Sequence, residues 1–146
     1  MPKILISDSV GVEGIELLRT KADVDVKTGM KPAELVKVIG DYDALVVRSE
    51  TNVDRKVIEA GKRLKVVARA GIGVDNIDLE SATSAGIAVV NAPTGNTVAA
   101  AEHTVALMLS MARNIPSAHA SLRAGEWTRS KFIGIEVRDK TLGICG

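Results

Sequence analysis

The feature that most constrains this chain is an alternation. Short apolar runs, KILISD (3–8), VDVKT (24–28), DALVVRS (43–49), LKVVARA (64–70) and GIAVVNA (86–92), are separated by segments with helical spacing. In the first of these segments Val12, Ile15 and Leu18 share one helical face. In the second, Pro32 suits the first helical turn, Leu35, Val36 and Ile39 form an apolar stripe, and Gly40 suits a helix end. A third helix is predicted from about Asp54 to Ala60, stopping at Gly61. A fourth opens after Asp78 as its N-cap and stops at Gly86. Strands that alternate with helices of this length build βαβ units, and the helices must cross over right-handedly onto a parallel sheet. The expectation is a doubly wound α/β domain, complete by about residue 95, in which five strands favour the flavodoxin-like arrangement. With 46% hydrophobic but only 2% aromatic residues, the core must come from Val, Ile, Leu and Ala.

The pattern then changes. Asn96 suits the cap of a long helix whose apolar face is Val98, Ala101, Val105, Met108 or Leu109, and Ala112, and Pro116 starts a shorter helix ending at Gly125. After Trp127 and Phe132 come IEV (135–137) and TLGIC (141–145), the latter predicted to be a sixth strand with Cys145 buried in it. The long helix therefore reads as a bridge between two units, 1–97 and 98–146.

Nineteen basic and eighteen acidic side chains leave a formal charge of +1, so no net field draws the chain to nucleic acid or anionic lipid. The expected partner is a small molecule. The lone Cys145 excludes an intrachain disulfide, and neither a signal peptide nor an apolar run long enough to span a bilayer is present, which points to a cytoplasmic setting. Cys145 and His119 are isolated, so metal ligation has no support.

In an open α/β sheet ligands bind beyond the carboxyl ends of the strands. Three stretches there carry chemistry. Arg48, followed by Ser49, presents a guanidinium fork suited to a carboxylate or phosphate, although a surface ion pair with Glu50 or Asp75 explains it equally well. RAGIGVDN (69–76) sets Gly71 and Gly73 after a buried strand, where positive φ would leave N–H groups open to an anion; a tight turn without ligand is the other reading. NAPTGNT (91–97) places Asn96 at a helix N-terminus, whose dipole favours anions, and reads equally as a hinge. Glu102, one turn on, suits a role at the domain junction, and His103 beside it is read as structural.

These stretches, VVRSET (46–51), VVARAGIGVDNIDL (66–79), VVNAPTGNTVAAAEHTVALMLSMAR (89–113) and LRAGEWTRSKFIGIEVRDKTLGICG (122–146), together resemble the D-isomer-specific 2-hydroxyacid dehydrogenases. The resemblance implies that 1–97 is a substrate-binding domain and 98–146 the connecting helices and start of an NAD-binding Rossmann domain. It implies hydride transfer from a small anionic 2-hydroxy acid, 3-phosphoglycerate or a similar compound, to NAD. Arg48 would meet the acidic end of the substrate, the backbone around Ile72 and Gly73 its carboxylate, Arg129 its phosphate, and Asn96 and Glu102 would organise the junction. Ile72 stands where a hydroxyl residue can occur and touch the cofactor, so only its backbone contact would survive. Gly146 would be the first glycine of a G-x-G-x-x-G fingerprint left incomplete, and the catalytic Arg, Glu and His of the family would lie outside this chain. The chain alone is therefore expected to be inactive. A glyoxylate- or lactate-type relative, or a self-associating fragment joined through the helix at 97–114, are the alternatives.

Overall fold

The computed structural model describes residues 1–145, which fall into two compact units, one ending at Asn96 and the other beginning at Thr97. The first unit carries β1 (Lys3–Ile6), α1 (Val12–Arg19), β2 (Asp23–Val26), α2 (Pro32–Val38), β3 (Ala44–Val47), α3 (Arg55–Ala60), β4 (Val66–Arg69), α4 (Leu79–Ser84) and β5 (Ala88–Asn91). All five strands are parallel, in the order β2-β1-β3-β4-β5. That order is the flavodoxin-like one. Its reversal of direction between β1 and β3 opens a crevice at the carboxyl ends of the strands.

The two faces of the sheet follow from period-two alternation. Leu5, Leu45, Val47 and Val67 point to the face covered by Leu35 of α2, Val57 and Ile58 of α3 and Ala82 of α4. Ile4, Ile6 and Val24 point the other way, against Ile15 and Leu18 of α1. Leu5, Leu45, Val47 and Val67 are completely buried, and each such side chain contributes about 1.5–3 kcal/mol of transfer free energy. Val90 of edge strand β5 is half exposed on the α1 side, because within the first unit the helix on that face, α1, lies over β1 and β2.

Caps set the helix boundaries. The Asp54 carboxylate accepts from the Val57 N–H at 3.1 Å, and that of Asp78 from the Ser81 N–H at 2.9 Å. Gly86, at φ +70°, turns the chain from α4 into β5. One boundary differs from expectation. Gly40 does not end α2 but lies inside a 3₁₀ turn, Ile39–Asp41, that tightens the helix so that Ile39 is fully buried and Tyr42 enters the core.

Tyr42 anchors the β2 edge. Its hydroxyl donates to Asp25 at 2.7 Å and accepts from Lys27 at 3.0 Å, while the Lys3 ammonium lies 3.4 Å from the Asp25 carboxylate. The Tyr42 hydrogen bond, and behind it Lys3, hold the Asp25 carboxyl below the usual carboxylate range. The same hydroxyl raises the Lys27 ammonium. Asp43, at the foot of β3, is lowered by the Lys3 N–H and then by Arg63.

The second unit holds α5 (Thr97–Ala112), α6 (Ile115–Arg123) and a 3₁₀ turn, Arg129–Phe132. Asn114, in the left-handed region at φ 54°, joins the helices, Pro116 occupies the first turn of α6, and Gly125 at φ +81° ends it. The Ile135 N–H returns to the Ala112 carbonyl at 2.8 Å. One expectation fails in this unit. Thr141–Cys145 is not a strand and Cys145 is exposed, since a parallel strand is held only by the ladder of a neighbour and none of the described residues of this unit supplies one. No residue of α5 is buried; Val98 and Met111 are both at least 70% exposed.

Candidate functional site

At the carboxyl ends of β1, β3, β4 and β5 the first unit opens into a cavity of about 580 Å³, lined by Arg48, Ser49, Arg69, the Gly71–Gly73 turn and Asn96. Val10, Gly11, Ala92 and Gly95 complete the wall. Of the residues singled out from the sequence, Arg48, Ser49, Gly71, Ile72, Gly73 and Asn96 thus meet around one space. Arg129 and Glu102 belong to the second unit, and Gly146 lies outside the described residues. The Arg129 guanidinium lies 5.9 Å from the centre of the Trp127 ring, beside a smaller pocket that also includes Phe132.

Arg48 pairs with neither Glu50 nor Asp75. Its guanidinium donates to the Ser9 carbonyl at 3.2 Å, and among the described residues no carboxylate forms an ion pair with it. Asp75 is instead 3.7 Å from Arg69. No acidic side chain lines the cavity, and Arg69 is tied to Asp75 and to the Gly73 carbonyl, which leaves the Arg48 guanidinium as the charge facing a space the size of a small ligand.

The glycine turn is built differently from the sequence expectation. Neither Gly71 nor Gly73 has positive φ; side chains crowd them instead, Arg69 over Gly71 and the Asp75 carboxylate 3.0 Å from where a Cβ on Gly73 would sit. A Cβ on Gly71 would come within 3.0 Å of Arg69 Nη1, which already donates to the Gly73 carbonyl at 2.6 Å. The Gly71 N–H turns back onto the Arg69 carbonyl at 2.8 Å. The N–H groups of Ile72 and Gly73 have no acceptor among the described residues, so two adjacent donors remain for a ligand.

Residues that sequence reasoning passed over hold these loops together. Asp8, 1% exposed at the end of β1, accepts from the N–H groups of Arg48 at 2.6 Å, Thr51 at 3.1 Å and Glu50 at 3.3 Å, and from the Thr51 hydroxyl. Asn76 donates its amide to the carbonyls of Arg48 at 2.7 Å and Thr51 at 2.6 Å, while its own Oδ1 is buried without a partner among the described residues. Both bonds are to carbonyls, so the amide orientation is fixed. Below them a single bridge joins Val53 to Ile77, both buried. The available signal for Asp8 was an acidic residue closing an otherwise apolar strand, which is costly unless its oxygens are satisfied.

The fold and cavity define a class: a doubly wound α/β unit with a ligand space at the carboxyl ends of a parallel sheet. The chain belongs to the D-isomer specific 2-hydroxyacid dehydrogenase family, whose catalytic-domain model matches residues 4–140. It is 52% identical to the D-3-phosphoglycerate dehydrogenase of Synechocystis sp. over 146 residues, all of this chain and 26% of that protein. With the enzyme of the same name from Methanocaldococcus jannaschii it shares 53% identity, again over the whole chain and 28% of the relative. The chain thus spans about a quarter of the length of these relatives. Among solved structures, the NAD+-bound 3-phosphoglycerate dehydrogenase of Entamoeba histolytica matches 99% of this chain and 46% of its own at 29% identity, with a TM-score of 0.77. The TT0316 protein of Thermus thermophilus matches 92% and 45% at 32% identity, with a TM-score of 0.84.

Proposed function

We propose that this chain is the substrate-recognising part of an NAD-dependent dehydrogenase that oxidises 3-phosphoglycerate to 3-phosphohydroxypyruvate, a step of serine biosynthesis. In this reading residues 1–97 bind substrate, and 98–146 are the connecting helices and start of the NAD-binding domain. The observation that carries it is the cavity: the Arg48 guanidinium without an ion pair, two N–H groups without an acceptor and no lining carboxylate select a small anion. Arg48 meets the acidic end of the substrate, and the N–H groups of Ile72 and Gly73 take its carboxylate. Ser49 and Asn96 offer hydrogen bonds to its hydroxyl region, Arg129 takes the phosphate, and Glu102 serves the domain junction.

NAD, when bound, supplies the hydride acceptor. The described residues do not by themselves fit a dinucleotide. No G-x-G-x-x-G turn opens a helix, and the strand that would precede such a turn is not formed. The cofactor contacts in this reading are Ile72 and Gly146. Arginine, whose side chain only donates, is the only ionisable residue type lining the cavity, so the cavity as described contains no general base. The chain alone is accordingly silent in NAD reduction, and proteins of this kind would work as homo-oligomers in the cytoplasm, with α5 as the contact helix.

The test is a calorimetric titration of the chain with 3-phosphoglycerate, wild type against Arg48→Ala. Saturable binding that weakens at least about tenfold, the loss of one charge-assisted contact, is expected. Equal affinity in the two proteins would remove the assignment of Arg48.

A further inference from the structure

The Ile72 and Gly73 N–H groups are free because something else holds the opposite sides of their peptides. In a trans peptide the C=O and the following N–H point in opposite directions, and no cis bond occurs among the described residues. The Gly71 carbonyl accepts from the Ala92 N–H at 2.9 Å, so the Ile72 N–H is turned away from β5. The Ile72 carbonyl accepts from Asn91 Nδ2 at 2.6 Å, so the Gly73 N–H is turned the same way. Asn91 closes β5 in register with Arg69, which draws the Gly73 carbonyl back at 2.6 Å. Three consecutive carbonyls are therefore tied by three different donors, and the two N–H groups between them are left for the cavity.

We infer that Asn91 is a positioning residue of the anion site: by holding the Ile72 carbonyl it aims the Gly73 N–H into the cavity. This rests on the reading of that cavity as a carboxylate site. The two tethers differ in kind. The Ala92 N–H is backbone and any non-proline residue supplies it, whereas the Asn91 bond depends on a side-chain amide. Without that amide the Ile72–Gly73 peptide is free to rotate, and one of the two donors loses its direction while the other keeps it. An asparagine that touches no ligand would thus set how tightly a carboxylate is gripped.

The experiment follows backbone amide resonances of the chain during titration with D-glycerate, a 2-hydroxy carboxylate without phosphate, in wild type, Asn91→Ala and Asn91→Asp. Asp keeps the shape of the side chain and loses the donor. In wild type both the Ile72 and Gly73 amides should move with ligand. In both variants the Gly73 response should collapse while the Ile72 response persists, and affinity should fall about tenfold, as for one lost hydrogen bond to a charged group. Preserved Gly73 shifts and affinity within about twofold in the variants would overturn the inference and leave the cavity reading intact. Absence of any response at Ile72 and Gly73 in wild type would instead overturn the cavity reading, and the inference with it. Should Asn91→Ala unfold, the spectrum of Asn91→Asp and the protection of the Asn91 side-chain amide from solvent exchange in wild type decide the matter: an unprotected amide means the tether does not exist.

Discussion

Replacing Asp8 by alanine should unlatch the loop that presents Arg48. The carboxylate accepts two backbone N–H groups at 2.6 and 3.1 Å, a third at 3.3 Å, and the Thr51 hydroxyl, from a position 1% exposed. A hydrogen bond to a charged group contributes about 1.5–3 kcal/mol. The long contact adds little, and Arg48 and Glu50 are exposed enough for water to satisfy part of what is lost. The net cost of Asp8→Ala is then about 3 kcal/mol, a fall in Tm of about 12–24 °C for a unit of this size. Asp8→Asn should cost about 1 kcal/mol, because its oxygen still accepts the backbone N–H groups, its amide donates to the Thr51 oxygen, and only charge assistance is lost. Urea unfolding followed by far-UV circular dichroism measures both, and hydrogen exchange at residues 48–51 locates the effect. An Asp8→Ala variant within about 0.5 kcal/mol of wild type would refute the latch, as would an Asn variant as damaged as the Ala variant.

The carboxyls of Asp25, Asp43 and Asp78 are all lowered, by Tyr42, by the Lys3 N–H and by the Ser81 hydroxyl respectively, relative to 3.8 in the unfolded chain. Their stabilisation is full above that value and lost as the pH falls through the lower folded values, so the urea midpoint should drop on acidification below about pH 4. Lys27, raised above 10.5, adds stability that is full below that value and lost only as the pH rises beyond it; a midpoint that climbs on acidification would contradict these assignments. In a full-length relative with the same residue, Arg129→Ala should raise KM for 3-phosphoglycerate at least about tenfold and leave an unphosphorylated 2-hydroxy acid nearly unaffected. An equal change for both would remove Arg129 from phosphate recognition. The exposed apolar side chains of α5, Val98 and Met111 among them, should drive association of the isolated chain; light scattering reporting a monomer across the micromolar range would count against that helix as a contact surface.

What could be read from the sequence was what is local. Period-two apolar runs place the five strands, and Asp54, Asp78 and Gly86 mark helix ends through bonds to neighbours three residues away or through their own φ. The convergence of Arg48, Gly71–Gly73 and Asn96 was also legible, since strand ends of one parallel sheet must meet at one edge. Thr141–Cys145 reads as a strand by composition, but pairing is a property of two segments and composition describes one. Gly40 misled because a 3₁₀ turn carries Tyr42 into the core beyond the point where a simple cap would have stopped the helix. Asp8, Asn76, Asn91 and Arg69 stayed hidden for a common reason: except for the short reach from Arg69 to Gly73, each acts on a backbone group 19 or more residues away, and single-sequence patterns hold no record of which loops touch.

Those hidden residues explain why the cavity can face an anion with so few side chains. Asn76 and Arg69 both direct donors at the Arg48 carbonyl, Asn76 also takes that of Thr51, and Asn91 and Arg69 take those of Ile72 and Gly73. Carbonyl oxygens are the groups an incoming carboxylate must avoid, and four of them are engaged by donors on the protein side. Asp8 does the converse, drawing the N–H groups of Arg48, Glu50 and Thr51 down towards β1, which leaves the Arg48 guanidinium as the charge that loop offers. The division makes a prediction about sign. Removing a carbonyl tether should weaken anion binding by exposing a negative dipole as well as by misdirecting a donor, so Asn76→Ala should cost more in carboxylate affinity than in affinity for a neutral analogue such as the corresponding amide. Titration of the variant with both ligands measures that difference, and equal losses for the charged and the neutral ligand would show that the tethers act through shape alone.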